Sequence, residues 1–386
     1  MTVCNSFGET IINTSFISLG NLTPDTFLQQ YWQKKPLLVR NALPGFNGLL
    51  SHKELIQLSG NDEVQSRLVI QKDAQWLLKH GPLSPRDFPN STENTWALLV
   101  QDVNHWLPSA NNLLLKFGFI PYARMDDLMV SYAPAGGGIG PHYDSYDVFL
   151  LQGPGRRYWE VAANYDSQLV TSAPIKILQQ FKAEQSWILE PGDMLYLPPN
   201  YAHHGIAVDA CMTYSIGFRA PSHQELIDQY LMYLQDHLET DGWYCDPDLK
   251  HQGHPWEIHR NMLQQTRQIL KKIKWNAADV ENFLGIYLTE PKAHVFFNRP
   301  KRPLSFDAFN SAIHKENFRL SLKSRMLTGR KQIFLNGESY PVTPAIKKAL
   351  CTFAYHQDNS SSNKLNDESR KILYQWYVNG FIETTS

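Results

Sequence analysis

The stretch Gly136-Gly137-Gly138-Ile139-Gly140-Pro141-His142-Tyr143-Asp144 decides how this chain is read. A β-strand sends residues i and i+2 to one face, so His142 and Asp144 can present an imidazole and a carboxylate to one point. A third ligand has to come from another strand. The segment Glu190-Pro191-Gly192-Asp193-Met194-Leu195-Tyr196-Leu197-Pro198-Pro199-Asn200-Tyr201-Ala202-His203 offers one: a turn, a short apolar strand, a Pro-rich loop and then a histidine. Two histidines and one carboxylate occupy one face of an iron(II) ion and leave the opposite positions open, the arrangement of non-haem oxygenases.

A bare His-x-Asp is more often a surface pair than a ligand pair, so the surrounding spacing carries the weight. Gly136 stands six residues before His142, and Gly192 stands six before Pro198 and eleven before His203. Both intervals resemble the two halves of the cupin signature, with Asn200 where that pattern usually has glycine. The same spacing favours His203 over its neighbour His204. The alternative is a cupin-like barrel whose histidines are core residues and which binds no metal. The glycine-rich loop follows neither nucleotide-binding fingerprint and leads into a strand, so its glycines are read as allowing a sharp turn and a close backbone approach.

Composition sets the bounds. With 386 residues, two or three domains are expected. A formal charge of -1 and 42% hydrophobic residues give no global sign of nucleic acid or membrane as a partner. The first Lys or Arg is Lys34 and no uncharged apolar run reaches membrane-spanning length, which sets a cytoplasmic expectation. Cys4, Cys211, Cys245 and Cys351 are scattered without a Cys-x-x-Cys pair, against a disulfide framework or thiolate zinc site.

Residues 1 to 20 read as an arm or edge strand. Thr23-Pro24-Asp25 starts a helix, Leu37-Leu38-Val39 is a short strand, and Ser51-His52-Lys53-Glu54 has capping-box spacing before a second helix. Strands at 67–70 and 75–78 are expected to brace the outside of a barrel. A strand at 96–101 and a helix from Trp106 to Phe117 follow, then many short strands separated by Gly and Pro turns, the pattern of a jelly roll. In the run Arg156-Arg157-Tyr158-Trp159-Glu160-Val161, strand alternation turns one arginine inward. An inward guanidinium is costly without an anion, and a dicarboxylate ligand would supply one; an internal salt bridge to Glu160 or Asp193, or two solvated arginines on an edge, are the alternatives.

The chain resembles the JmjC-type, 2-oxoglutarate-dependent ribosomal oxygenases. The likeness runs through Tyr31-Trp32-Gln33-Lys34-Lys35-Pro36, Ser66-Arg67-Leu68-Val69, Asp126-Asp127-Leu128-Met129, Gly137-Gly138-Ile139-Gly140-Pro141-His142, Tyr146-Asp147-Val148-Phe149 and Gly217-Phe218-Arg219-Ala220-Pro221. It implies iron(II) on His142, Asp144 and His203, 2-oxoglutarate held through its distal carboxylate by Arg157, and dioxygen as the further co-substrate. Ser131 is the implied second co-substrate contact in preference to Ser215, while His204 leaves the iron's surroundings open. The implied reaction is hydroxylation at Cβ (C-3) of an arginine in large-subunit ribosomal protein sixteen, with Asp126, Asp127 and Asp147 as candidates for receiving it. A lysyl demethylase, a hydroxylase of another side chain, or a silent barrel acting as a ribosome-associated binding module are the alternatives.

The expected fold is α+β, with three parts. Residues 1–221 form the catalytic double-stranded β-helix with its bracing elements, the core at about 91–221. Residues 222–293 form a helical dimerisation domain and 294–386 a winged-helix-like domain, with a hairpin at Asn336-Gly337. The resemblance favours a homodimer through residues 222–293, with an ordinary packed helical domain as the alternative, and a membrane is not expected. Residues 301–350 hold ten Lys or Arg against three acids, yet protein contact is favoured there over RNA because no arginine-rich recognition helix stands out.

Overall fold

The structure is a computed structural model that describes residues 16–73, 75–89, 95–313, 318–355 and 365–384. The expected arm lies outside the described residues up to position 15. Chain contacts gather into two compact units. One comprises Met1–Ala220, Pro291–Arg325 and Pro344–Ser386; the other comprises Pro221–Glu290 and Met326–Thr343.

In chain order the first elements are α1 (Pro24–Gln30), β1 (Leu37–Val39), α2 (His52–Leu58), β2 (Ser66–Lys72), β3 (Gln75–His80) and β4 (Thr95–Val100). Next come α3 (Pro108–Leu115), β5 (Met125–Ala133), β6 (His142–Tyr143), β7 (Asp147–Gln152), β8 (Arg157–Ala162), β9 (Gln185–Leu189), β10 (Met194–Leu197), β11 (Ala202–Ala207) and β12 (Cys211–Phe218). Thr23 caps α1 and Ser51 with Glu54 closes a capping box on α2, as expected. Helix α3 is shorter than expected. Pro108 fixes its first turn, and the residues before it form a 3₁₀ turn that opens on Asp102 at φ +53°.

The double-stranded β-helix is present. An antiparallel sheet in the order β1-β10-β7-β12-β5-β4-β2-β3 faces a smaller one in the order β6-β11-β8-β9. β2 and β3 extend the larger sheet by pairing onto β4, instead of bracing it from outside. On β7, Val148 and Leu150 point into the barrel toward Trp159, Leu195 and Leu197. Its Phe149 and Leu151 point outward into the main core with Phe27, Phe117, Tyr196 and Phe218. Helices α1 and α3 supply Phe27 and Leu114 to that outer core, so β7 is covered on both faces. This explains why it reads as a continuous apolar run without alternation.

The glycines of 136–140 serve strand packing. A Cβ on Gly137 would stand 2.3 Å from the Trp96 carbonyl oxygen, and one on Gly138 would stand 2.5 Å from that of Gly205. Gly140 takes φ +79°, the left-handed region that favours glycine.

The remaining elements are α4 (His223–His237), α5 (Arg260–Leu270), α6 (Ala277–Thr289), α7 (Phe306–Ala312), β13 (Phe318–Leu320), β14 (Met326–Thr328), β15 (Gln332–Leu335), β16 (Glu338–Pro341), α8 (Pro344–Tyr355), α9 (Asp367–Val378) and β17 (Ile382–Thr384). The second unit holds α4 to α6 and the sheet β14-β15-β16. Asn336 and Gly337 turn its hairpin at φ +51° and +84°, the left-handed pair of a type I′ turn. Gly285 of α6 lies flat against Phe334, where any Cβ would collide with the ring. In the first unit β13 pairs with β17. There the basic run is partly spent on internal bonds: Arg319 to Glu383, Lys323 to Glu63, and Arg325 to the carbonyls of Tyr122 and Met125. Among the described residues no helix is long and apolar enough to cross a membrane.

Candidate metal centre and its cavity

His142 on β6 stands directly opposite His203 on β11 in an antiparallel pair. Their ring centroids are 4.2 Å apart. With Asp144 they form a group whose ligand atoms all lie within 4.8 Å of one another. His203 Nε2 is 3.7 Å from Asp144 Oδ2. Each ring places Nδ1 3.0 Å from a backbone carbonyl, Gly140 for His142 and Tyr201 for His203. A carbonyl only accepts, so Nδ1 carries the proton and the Nε2 lone pair is left for an ion. Burial, reinforced by His142 alongside, pushes His203 down to about 4, which keeps it neutral as a metal ligand must be.

His204 belongs to the other face of β11, where its Nδ1 lies 3.4 Å from Glu160 Oε2. Asn200 adopts φ +62°, which asparagine tolerates better than most residues, and its N–H donates to the Asp144 carbonyl at 2.7 Å. The asparagine therefore does the turn's work in place of glycine and also tethers the third member of the group.

Arg157 is the inward arginine and is 5% exposed. Arg156 points out and pairs with Asp209 at 2.8 Å. Both proposed internal partners are engaged elsewhere, Glu160 with His204 and Asp193 with Arg40. Arg157 Nη1 donates to Ser131 Oγ at 3.2 Å and Thr213 Oγ1 at 3.1 Å, its Nε has no partner, and its guanidinium lies over the Trp159 ring. Among the described residues it has no carboxylate counter-ion. Burial lowers its pKa from the ordinary arginine value. Thr213 was not singled out from sequence, although the register that sets it beside Ser131 follows once β5 and β12 are paired. Its hydroxyl donates to Gln152 Oε1 at 3.3 Å, which turns its lone pairs toward Arg157.

These groups face one cavity of about 440 Å³. Ser215 lines it too but does not bond Arg157. Of the three acids considered for a substrate cation, Asp147 lies elsewhere, fully buried against Tyr196, Gln33 and Arg124. Asp126 lines the cavity but is paired with Arg219 and Lys292. Asp127 lines it with Oδ2 accepting the Asp102 N–H at 3.2 Å, and burial pushes its carboxyl up to about 7. Asp102 is itself fixed by Lys292 at 2.9 Å and His294 at 3.1 Å, partners far away in sequence.

The chain matches the JmjC domain over residues 112–226 and the ROXA-like winged helix over 272–383. It is 34% identical over 362 residues to the ribosomal protein uL16 3-hydroxylase of Escherichia coli (strain K12), covering 92% of this chain and 95% of that protein. A probable ribosomal oxygenase of Haemophilus influenzae is 43% identical over 212 residues, 54% of this chain and 52% of that one. The X-ray structure of E. coli YcfD superposes with a TM-score of 0.83 at 30% identity, covering 96% of this chain and all of that one. YcfD in complex with cobalt and 2-oxoglutarate gives 0.79 at 29% identity over 97% of this chain. Similar over almost its full length to the uL16 3-hydroxylase in sequence and to the ribosomal oxygenase YcfD in fold, this chain belongs to the JmjC-type ribosomal oxygenase family.

Proposed function

We propose that the chain is an iron(II)- and 2-oxoglutarate-dependent oxygenase that hydroxylates C-3 of an arginine in a large-subunit ribosomal protein of the uL16 type, in the cytoplasm. A buried guanidinium that has no anion among the described residues shares a cavity with two imidazoles and a carboxylate that converge, and this observation carries the reading. The donor set fits the ion, since two imidazole Nε2 atoms and one carboxylate suit iron(II). His142, Asp144 and His203 would hold it, and Arg157 with Ser131 and Thr213 would hold the distal carboxylate of 2-oxoglutarate. With iron(II) and 2-oxoglutarate held there, the site would gain dioxygen activation coupled to decarboxylation to succinate and carbon dioxide.

The protein's part is positioning and exclusion of water. Trp159, Val148, Leu150 and Met129 line the cavity with apolar surface, which keeps water from the reacting groups. Asp127 supplies the carboxylate that a substrate guanidinium needs, and orients the side chain so that its Cβ is the carbon presented. Its anchor on the Asp102 N–H fixes which oxygen is free.

The exposed apolar side chains of the helical stretch support a second role for residues 222–293. Ile227 and Leu231 of α4 and Leu263 and Leu270 of α5 are all more than half exposed. Such a surface is a docking face for another copy of this chain.

Incubation with iron(II), 2-oxoglutarate, ascorbate and a uL16-type peptide is expected to give substrate-stimulated succinate and a mass gain of about 16 Da, one oxygen atom. His203→Ala abolishes both; bound peptide that never gains mass would favour a silent barrel. Because a guanidinium pairs only with ionised Asp127, peptide KM should fall as pH rises to about 7 and level off above it. Asp127→Asn should raise that KM at least about tenfold, ~1.4 kcal/mol, and flatten this dependence. Light scattering should report twice the 44.4 kDa chain mass, and Leu231→Lys with Leu263→Lys should return it to one chain.

A further inference from the structure

The cavity contains a second guanidinium that the proposed reaction does not use. Arg67 sits on β2 opposite Leu99 of β4, Leu99 opposite Ser131 of β5, and Ser131 opposite Thr213 of β12. Residues directly opposite in a ladder share a face. Arg67 therefore points to the same side of the sheet as the two hydroxyls that hold Arg157, and it lines the same cavity. Strands lie roughly 4.8 Å apart. Arg67 thus roots about 10 Å from Ser131 and about 14 Å from Thr213, on the wall away from the site assigned to 2-oxoglutarate.

Its Nε is buried with no hydrogen-bond partner. Among the described residues no carboxylate lies within ion-pair distance of it, although Asp126, Asp127 and Asp144 line the same cavity. Asp126 pairs with Arg219 and Lys292, and Asp127 is held by the Asp102 N–H. A buried donor left unmade is costly unless a ligand completes it.

We propose that Arg67 binds main-chain carbonyl oxygens of the protein substrate next to the target residue, holding the peptide across the cavity while Asp127 takes the target's cationic end. A carbonyl is favoured over an acidic side chain because three carboxylates already line the cavity: they repel another anion and leave a neutral acceptor unopposed. The inference rests on the proposed reading of the site as a peptide hydroxylase. It assigns Arg67 to substrate specificity and not to the chemistry.

The test uses the full chain with iron(II), 2-oxoglutarate and a uL16-type peptide. Arg67→Met is expected to raise peptide KM at least about tenfold, with the effect on the peptide and not on the KM for 2-oxoglutarate. Arg67→Lys should recover part of the loss. Shortening the peptide to the target residue as an amide with a free amino group, which removes the preceding carbonyl, should weaken the wild type strongly and Arg67→Met only slightly, since both changes remove the same contact. Equal truncation penalties in the two proteins would overturn the proposal. So would a shift in 2-oxoglutarate KM, or a fall in melting temperature that Lys does not restore, because either assigns Arg67 to co-substrate binding or folding. Failure of the wild type to hydroxylate any peptide would instead count against the reading of the site.

Discussion

The cross-strand pair of His142 and His203 is the constraint on which the site depends, and it rests on a ladder of only two residue pairs. A strand that short has little pairing of its own to hold it. The loop before it is packed instead: Gly138 lies against the Gly205 backbone, where no Cβ fits, and Leu178 N–H donates to the Pro141 carbonyl at 2.8 Å. On the far side, Asn200 N–H binds the Asp144 carbonyl. Gly205, opposite Trp159 on β8, lets the indole lie across the strand. One run of tight backbone contacts thus fixes the two imidazoles, the carboxylate and the ring that floors the cavity.

The second theme is charge held without its partner. Among the described residues neither Arg157 nor Arg67 has a carboxylate partner and the Nε of each is unpaired, while burial opposes the ionisation of Asp127. In a settled core such groups would be paired or replaced by apolar ones. A ligand that completes them gains affinity because the cost of removing them from water is already met in the folded chain. The cavity walls therefore carry a pattern that complements a dicarboxylate on one side and a cationic peptide on the other.

Much of this was legible in the sequence because it is local. His142 and Asp144 share a strand face through simple alternation, Thr23, Ser51 and Asn336-Gly337 mark caps and a turn by residue type, and the apolar runs mark strands. Other parts depend on register between distant segments, which no local pattern encodes. Thr213 meets Arg157 only because β12 pairs with β5 in one alignment, and Arg67 faces the cavity because β2 joins the sheet. The choice among Asp126, Asp127 and Asp147 needed the structure, since three acids close in sequence end in three environments. Helix α3 starts at Pro108 and not at the expected Trp106, because the proline fixes its first turn.

The central claim is that Arg157 waits for the distal carboxylate of a keto acid whose other end lies at the metal. Calorimetric titration of 2-oxoglutarate into the cobalt(II)-loaded protein tests it most directly, with Arg157→Gln as the comparison. Metal-dependent binding is expected in the wild type, with a loss of at least about tenfold in the variant while cobalt(II) affinity is retained. Equal 2-oxoglutarate affinity in the two proteins, or binding indifferent to the metal, would contradict it.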